Sequence, residues 1–282
     1  MRKGHIHGTI GLEIEALSLA EPVTEAAMVC VRQLLDEFGV LIIRDQSIGE
    51  QELIRFSVGL GDLATFHEPD KRSLSAPEIF RISNVEQDGR ALRQTHDPVS
   101  TYFTNITRRW HTDGSYKAVP ALATCLLGLE VPPEGGDTLF ADMATAYEGL
   151  SPSMQATLAG RHMVHNYENN MEITPGHRPM SPEEKALLPP VTHPVVRRCA
   201  NGREALYLSD NVARYIGGMP IAEGAELLQE LLAWSTQPQF VYRHCWQPRD
   251  LLIWDNRRVM HQATAFDMAR HRRVMLRTEI VG

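Results

Sequence analysis

From about residue 119 onward the chain is a succession of short strand-like runs broken by turn residues. Ala123 to Val131, Thr138 to Ala141, Met163 to Tyr167, Ala205 to Ser209, Gln239 to Trp246, Asp250 to Trp254 and Val274 to Val281 are rich in β-branched, aromatic and aliphatic residues, which suit a pleated, half-buried surface. A few helices interrupt them, Ala222 to Trp234 most clearly. Parallel strands need a crossover connection, usually a helix, between each pair, and no such alternation is legible here. A sandwich or barrel remains, so the fold class expected is mainly β with flanking helices.

The first third reads differently. Gly11 to Leu17 alternates as a strand does. Residues from about 22 to 38 predict a helix, with Pro22 early, Thr24 as a cap, and Val31, Leu34, Leu35 and Phe38 on one apolar face. Gly39 stops it, and Val40-Leu41-Ile42-Ile43 follows as a buried strand. Glu50 to Leu60 predicts a second amphipathic helix. Residues from about 67 to 108 lack regular periodicity and contain the turn signal Asp88-Gly89. A long irregular segment in a compact domain is commonly a lid or disordered; its position suggests an active-site lid. There is no internal repeat, and residues 1–282 are read as one domain.

Composition excludes several function classes. A net charge of −7 argues against a nucleic-acid partner, which would demand a basic face. No apolar run reaches the roughly 18 residues of a membrane span. No apolar stretch follows Met1-Arg2-Lys3-Gly4-His5, so no signal peptide is expected. Cys30, Cys125, Cys199 and Cys245 are scattered without a C-x-x-C, which fits free thiols in a reducing cytoplasm.

Trp110-His111-Thr112-Asp113 carries the chemistry. A His and a carboxylate two apart point to one side of an extended strand, so both reach one metal ion. A second imidazole is available at His261, in the run that starts Trp254-Asp255-Asn256-Arg257. Two His and one carboxylate on one face of a metal leave the opposite positions open, as in non-haem Fe(II) oxygenases. A zinc hydrolase uses the same donors with a water, and spacing alone leaves it open, together with a non-catalytic jelly-roll binding protein. A serine hydrolase is disfavoured, because no G-x-S-x-G elbow occurs.

The metal set carries one negative charge, so a bound divalent ion leaves the site positive and attractive to an anion. Arg273 and Arg277 lie four apart in the final strand and face the same way. Either both sit in solvent at a rim, or both face a lumen and need anions to pair with. His162, His165, His177, His193 and His271 are read as surface or satisfied core residues, and His244, alternating with Tyr242 and Trp246, as a packing residue.

Ordered motifs along nearly the whole chain resemble the taurine dioxygenase and phenoxyacetate-herbicide dioxygenase family of Fe(II)/2-oxoglutarate-dependent enzymes. They are Gly11-Leu12-Glu13-Ile14, Gly39 to Ile43, Arg55-Phe56 with Gly61-Asp62-Leu63, Trp110 to Asp113, Pro132 to Thr138, Ala146 to Ser151, Trp254 to Arg257 with His261, and Arg272 to Thr278. The resemblance implies a double-stranded β-helix, a distorted jelly roll. It implies His111, Asp113 and His261 as Fe(II) ligands, with 2-oxoglutarate and O2 as co-substrates. It places Thr138 and Arg277 on the distal carboxylate of 2-oxoglutarate, and Arg273 near its chelating end or the substrate anion. Asp113 stands where related halogenases carry a small residue, so hydroxylation is expected.

Within the family, Arg81 to Gly89, and Ala222-Glu223-Gly224 with Thr236-Gln237 and Phe240 to His244, resemble the aryloxyalkanoate enzymes more than taurine dioxygenase. The resemblance implies a small anionic substrate (an aryloxyalkanoate, sulfonate or sulfate ester) and ether or ester cleavage where the hydroxylated carbon bears a heteroatom. His67 stands in the stretch where the sulfonate enzymes carry a substrate-contacting His; Asn84, Phe103 and Tyr116 are candidate pocket walls. A natural-product tailoring hydroxylase or desaturase is the alternative on the same fold. A homo-oligomer, dimer or tetramer, is expected as in relatives.

Overall fold

Val40–Ile43 and Leu251–Asp255 are buried along their whole lengths, and strands covered on both faces belong in the middle of a sheet. They pair antiparallel, Leu251 opposite Ile43 and Trp254 opposite Val40. The computed structural model describes residues 2–6, 8–66, 71–94, 100, 106–174 and 179–282. Its strands are β1 (Arg2–Ile6), β2 (Leu12–Glu15), β3 (Val40–Ile43), β4 (Phe80–Ser83), β5 (Ala121–Glu130), β6 (Thr138–Asp142), β7 (His162–His165), β8 (Val191–Pro194), β9 (Val196–Arg198), β10 (Glu204–Leu206), β11 (Ala213–Ile216), β12 (Val241–His244), β13 (Leu251–Asp255), β14 (Val259–Ala263) and β15 (Val274–Val281). A seven-stranded sheet has the order β1-β2-β3-β13-β5-β15-β4, and a three-stranded sheet runs β12-β6-β14. A second three-stranded sheet runs β11-β7-β8, and β9 pairs with β10.

Alternation along the strands sorts the side chains into two layers. Leu276 and Ile280 of β15, with Cys125 and Leu127 of β5, pack against Met28, Val31 and Leu35 of helix α1 (Glu25–Phe38) and Leu53 and Phe56 of helix α2 (Glu50–Val58). Met275, Leu126, Leu252 and Trp254 face the other way, onto Phe140 of β6. Arg273, Arg277 and Glu279 share the parity of Met275 and so point into the space between the sheets. That is why a charged strand ends up inside the molecule.

The local signals at α1 act as expected. Thr24 Oγ1 accepts from the Ala27 amide at 3.3 Å, and Gly39, at φ +70°, donates its amide to Leu35 O at 2.8 Å and ends the helix. The segment expected to be irregular, 67–108, differs: Phe80–Ser83 is an edge strand paired with β15, Arg277 opposite Phe80. Four residues with partial burial at both inner positions give too little alternation for a sequence signal. The short helices Met143–Glu148, Pro152–Leu158, Glu168–Ile173 and Pro182–Leu187 were also not legible as periodic runs. Mainly β with flanking helices describes the molecule.

Candidate metal centre

His111 and His261 meet through one antiparallel backbone bridge. The His111 amide donates to His261 O at 3.0 Å, and the His261 amide to His111 O at 2.9 Å. Residues that exchange both backbone bonds stand directly opposite, with their side chains on one face. The two ring centroids are 4.2 Å apart. His261 lies on β14, but His111 belongs to an isolated bridge and Asp113 to the turn after it, where Gly114 takes φ +64°. The H-x-D pair is therefore not two residues of one regular strand, as its spacing suggested.

The convergence holds all the same. Asp113 Oδ1 is 3.9 Å from His111 Nε2, and Asp113 Oδ2 is 3.6 Å from His261 Nε2. Donor atoms of the three buried residues lie within 4.8 Å of one another, the one such cluster of His, Cys, Asp and Glu among the described residues. His111 Nδ1 donates to Arg109 O at 2.7 Å; a carbonyl only accepts, so Nε2 keeps its lone pair for the centre of the cluster. Burial, and then His111 beside it, pushes His261 down to about 3. His111 is pushed down by burial. Burial would raise Asp113, but the Arg277 guanidinium, more than any other neighbour, holds it well below the usual carboxylate range. At neutral pH the site thus holds two neutral imidazoles and one carboxylate, the protonation state a divalent metal requires.

A buried relay fixes the carboxylate. Trp254 Nε1 donates to Asn256 Oδ1 at 3.0 Å, Asn256 Nδ2 to Thr124 Oγ1 at 2.9 Å, and Thr124 Oγ1 to Asp113 Oδ2 at 2.8 Å. The Trp254 ring also packs on His261, 4.7 Å between centroids, so one indole steadies two of the three donors. Thr124 stands opposite Trp254 in the β5–β13 pair. The Trp-Asp-Asn-Arg motif is visible in the sequence but this role is not, and nothing in the sequence marks Thr124.

The two arginines sit in different surroundings. Arg277 Nη1 donates to Asp113 Oδ1 at 3.1 Å and Nη2 to Glu279 Oε1 at 2.7 Å. Its guanidinium lies 4.4 Å from the Phe80 ring centroid. Its charge is thus shared by two carboxylates at the metal cluster. Arg273 is 7% exposed, makes no ion pair among the described residues, and its Nε has no hydrogen-bond partner. Burial pushes it down to about 10, against the pull of Asp137. It lines a small cavity with Thr107, Thr264 and Met268. Gly136, at φ +67°, makes this fit possible: a Cβ there would meet Pro132 Cγ at 2.8 Å and Arg273 Cδ at 3.4 Å. Arg273, not Arg277, is the cation beside the Gly-Gly-Asp-Thr turn.

Thr138 completes that corner. It is buried, and its Oγ1 accepts from Trp246 Nε1 at 3.0 Å. An indole N–H only donates, so the Thr138 hydroxyl hydrogen stays available to an anion. Asn84 lines the same cavity as Arg273, with its amide engaged. Its Nδ2 donates to Met268 O and His271 O at 3.0 and 2.8 Å, and its Oδ1 accepts from the Arg273 amide at 2.7 Å. It holds the loop that presents Arg273. Tyr116 lines the cavity at the metal cluster with Arg277 and packs at a tilt against Tyr167, 4.6 Å between centroids. His67 and Phe103 lie outside the described residues. His244 is a packing residue, clasped by the Tyr242 hydroxyl at 2.9 Å and by Asp250 at 3.0 Å.

Comparison with known proteins agrees with this geometry. Residues 4–278 match the family model described as taurine catabolism dioxygenase TauD, TfdA family. The alpha-ketoglutarate-dependent 2,4-dichlorophenoxyacetate dioxygenase of Cupriavidus pinatubonensis is 34% identical over 279 residues, 98% of this chain and 96% of that protein. The (S)-phenoxypropionate/alpha-ketoglutarate-dioxygenase of Sphingobium herbicidovorans is 29% identical, over 98% of this chain and 93% of that protein. The crystal structure of AAD-2 in complex with Mn(II) and N-oxalylglycine superposes with a TM-score of 0.90 at 29% identity, covering 100% of this chain and 98% of that one.

Proposed function

This chain belongs to the taurine catabolism dioxygenase TauD, TfdA family and is an Fe(II)/2-oxoglutarate-dependent dioxygenase, and from that premise we propose that it hydroxylates a small aryloxyalkanoate anion. Membership removes the zinc hydrolase and the non-catalytic binding protein from consideration. In this reading His111, Asp113 and His261 hold Fe(II). Arg273 and Thr138 receive the distal carboxylate of 2-oxoglutarate, and Arg277 faces the substrate's anionic group beside the metal. The observation that carries the reading is the buried Arg273, which makes no ion pair among the described residues and lines a cavity sharing Ile82 and Thr107 with the one at the metal cluster, while the Thr138 hydroxyl hydrogen, two residues beyond the Gly136 that packs on Arg273, is uncommitted. A desolvated guanidinium without a counter-ion is costly, and a bidentate carboxylate is its natural partner.

Bound iron supplies oxygen activation coupled to decarboxylation of 2-oxoglutarate, which leaves as succinate and CO2 while one oxygen atom enters the substrate. The protein's residues do the rest. Arg273 and Thr138 fix the co-substrate, Phe80 and Tyr116 give the substrate apolar walls, and the relay through Thr124 keeps Asp113 ionised and oriented. Where the hydroxylated carbon also bears the aryl ether oxygen, the product collapses to a phenol and a carbonyl compound. The same proposal takes residues 1–282 as one double-stranded β-helix domain, assembled as a dimer or tetramer. It places the protein in the cytoplasm, which its four free cysteines suit.

The test is succinate formation from 2-oxoglutarate, with Fe(II) and ascorbate under air, across aryloxyacetates, aryloxypropionates, sulfonates and sulfate esters. Strong stimulation by an aryloxyalkanoate is expected. Equal, slow turnover with every class would move the substrate to a natural-product scaffold.

A further inference from the structure

The cavity beside the metal cluster has two unlike walls. Phe80 and Ile82 of the large sheet are apolar, whereas Asn170 and Asn211 bring carboxamides. Asn170 lies on the short helix α5 (Glu168–Ile173), the fifth among the described residues, and Asn211 just before β11. The two segments are tied together, because Val212 O accepts from the Asn166 amide and from Asn169 Nδ2, each at 2.8 Å. Asn211 Oδ1 accepts from Ser209 Oγ at 2.8 Å, which leaves Nδ2 as its open edge. Asn169 spends both ends of its amide, the second on Arg214 Nε at 2.7 Å. Asn170 does not: it is 3% exposed, and its Oδ1 has no hydrogen-bond partner. Buried polar groups are otherwise nearly always satisfied, and an unmade bond of this kind is costly unless a ligand makes it.

We propose that Asn170, with Asn211 beside it, is a specificity-determining residue that hydrogen-bonds a polar substituent on the substrate, away from the anion held at Arg277. The preferred substrate is then an aryloxyalkanoate carrying a hydroxyl or N–H on its ring, not one whose ring is unsubstituted or only halogenated. The inference rests on the aryloxyalkanoate reading above and adds the ring chemistry. A site built to hydrogen-bond a substrate hydroxyl rejects the analogue lacking it, because its own polar group is left unpaired.

The experiment compares kcat/KM for phenoxyacetate with the 2-, 3- and 4-hydroxyphenoxyacetates, in the wild type and in Asn170→Leu and Asn170→Ser. The wild type should favour one hydroxylated analogue by about tenfold or more. Asn170→Leu should lose or reverse that preference, with Tm and the KM for 2-oxoglutarate unchanged; Asn170→Ser keeps the test open should the Leu variant fail to fold. Wild-type turnover without preference, or a preference that survives both substitutions, overturns the inference and leaves the aryloxyalkanoate reading standing. No turnover of any phenoxyacetate overturns that reading and this inference with it.

Discussion

Among the described residues two pairs of buried histidines pack ring against ring, and only one of them shares a carboxylate. His111 and His261 share a carboxylate, Asp113, and open on a cavity. His165 and His193 lie 5.2 Å apart between ring centroids, edge to face, with Tyr207 packed on both. His193 is tied to Lys117 O at 3.0 Å, and neither ring nitrogen of His165 has a partner. Burial lowers all four. Burial and a depressed pKa therefore do not distinguish a metal site from a packed one. The carboxylate, its anchoring relay and the open face of the cluster do.

The strongest way to break the comparison is to remove that carboxylate. Asp113→Ala should abolish iron retention and succinate formation, read by metal analysis and by product, whereas His165→Leu should spare both. The second effect in size belongs to the co-substrate corner. Arg273→Ala should weaken 2-oxoglutarate binding by about 2–5 kcal/mol, the cost of stranding one partner of a buried charged pair, seen in the apparent KM. Arg277→Ala should act more on the KM of the organic anion; the opposite pattern would restore the roles first read from the sequence.

The packed pair should show itself in acid. Burial, followed by His193 and Arg197, pushes His165 down to about 3, while an unfolded His takes its proton near 6.5. Between those values the unfolded chain binds more protons than the folded one. Stability from this group is therefore full above about pH 6.5 and is lost as pH falls toward 3. On the order of 3 kcal/mol should disappear by pH 4, measured by urea denaturation, and His165→Leu should flatten that part of the curve. The smallest effect sharpens the metal pair. Thr124→Val keeps the volume but cuts the relay to Asp113, and should cost roughly 10–100-fold in metal affinity, measured by anaerobic titration.

The sequence made the donors legible and left their geometry hidden. His111, Asp113 and His261 stand out because few residue types serve a metal, yet the strand inferred for His111 and Asp113 is a bridge and a turn. The parity of Arg273 and Arg277 was readable from spacing alone. Which of them meets a carboxylate already present depends on Glu279 and Asp113, contacts that spacing does not report. Asn84 does line the cavity at Arg273, but that its amide is spent on the backbone of the neighbouring loop is a contact the sequence does not report. Asn170 carries no signal in sequence, since an Asn-Asn pair in a six-residue helix resembles an ordinary surface turn.

The most direct test of the central claim is succinate release from 2-oxoglutarate by the iron-loaded protein under air, in the wild type, Asp113→Ala and His165→Leu side by side. Succinate from the wild type and the His165 variant, and none from the Asp113 variant, is the predicted result. Wild-type rates from Asp113→Ala would contradict the assignment of His111, Asp113 and His261 as the site of chemistry.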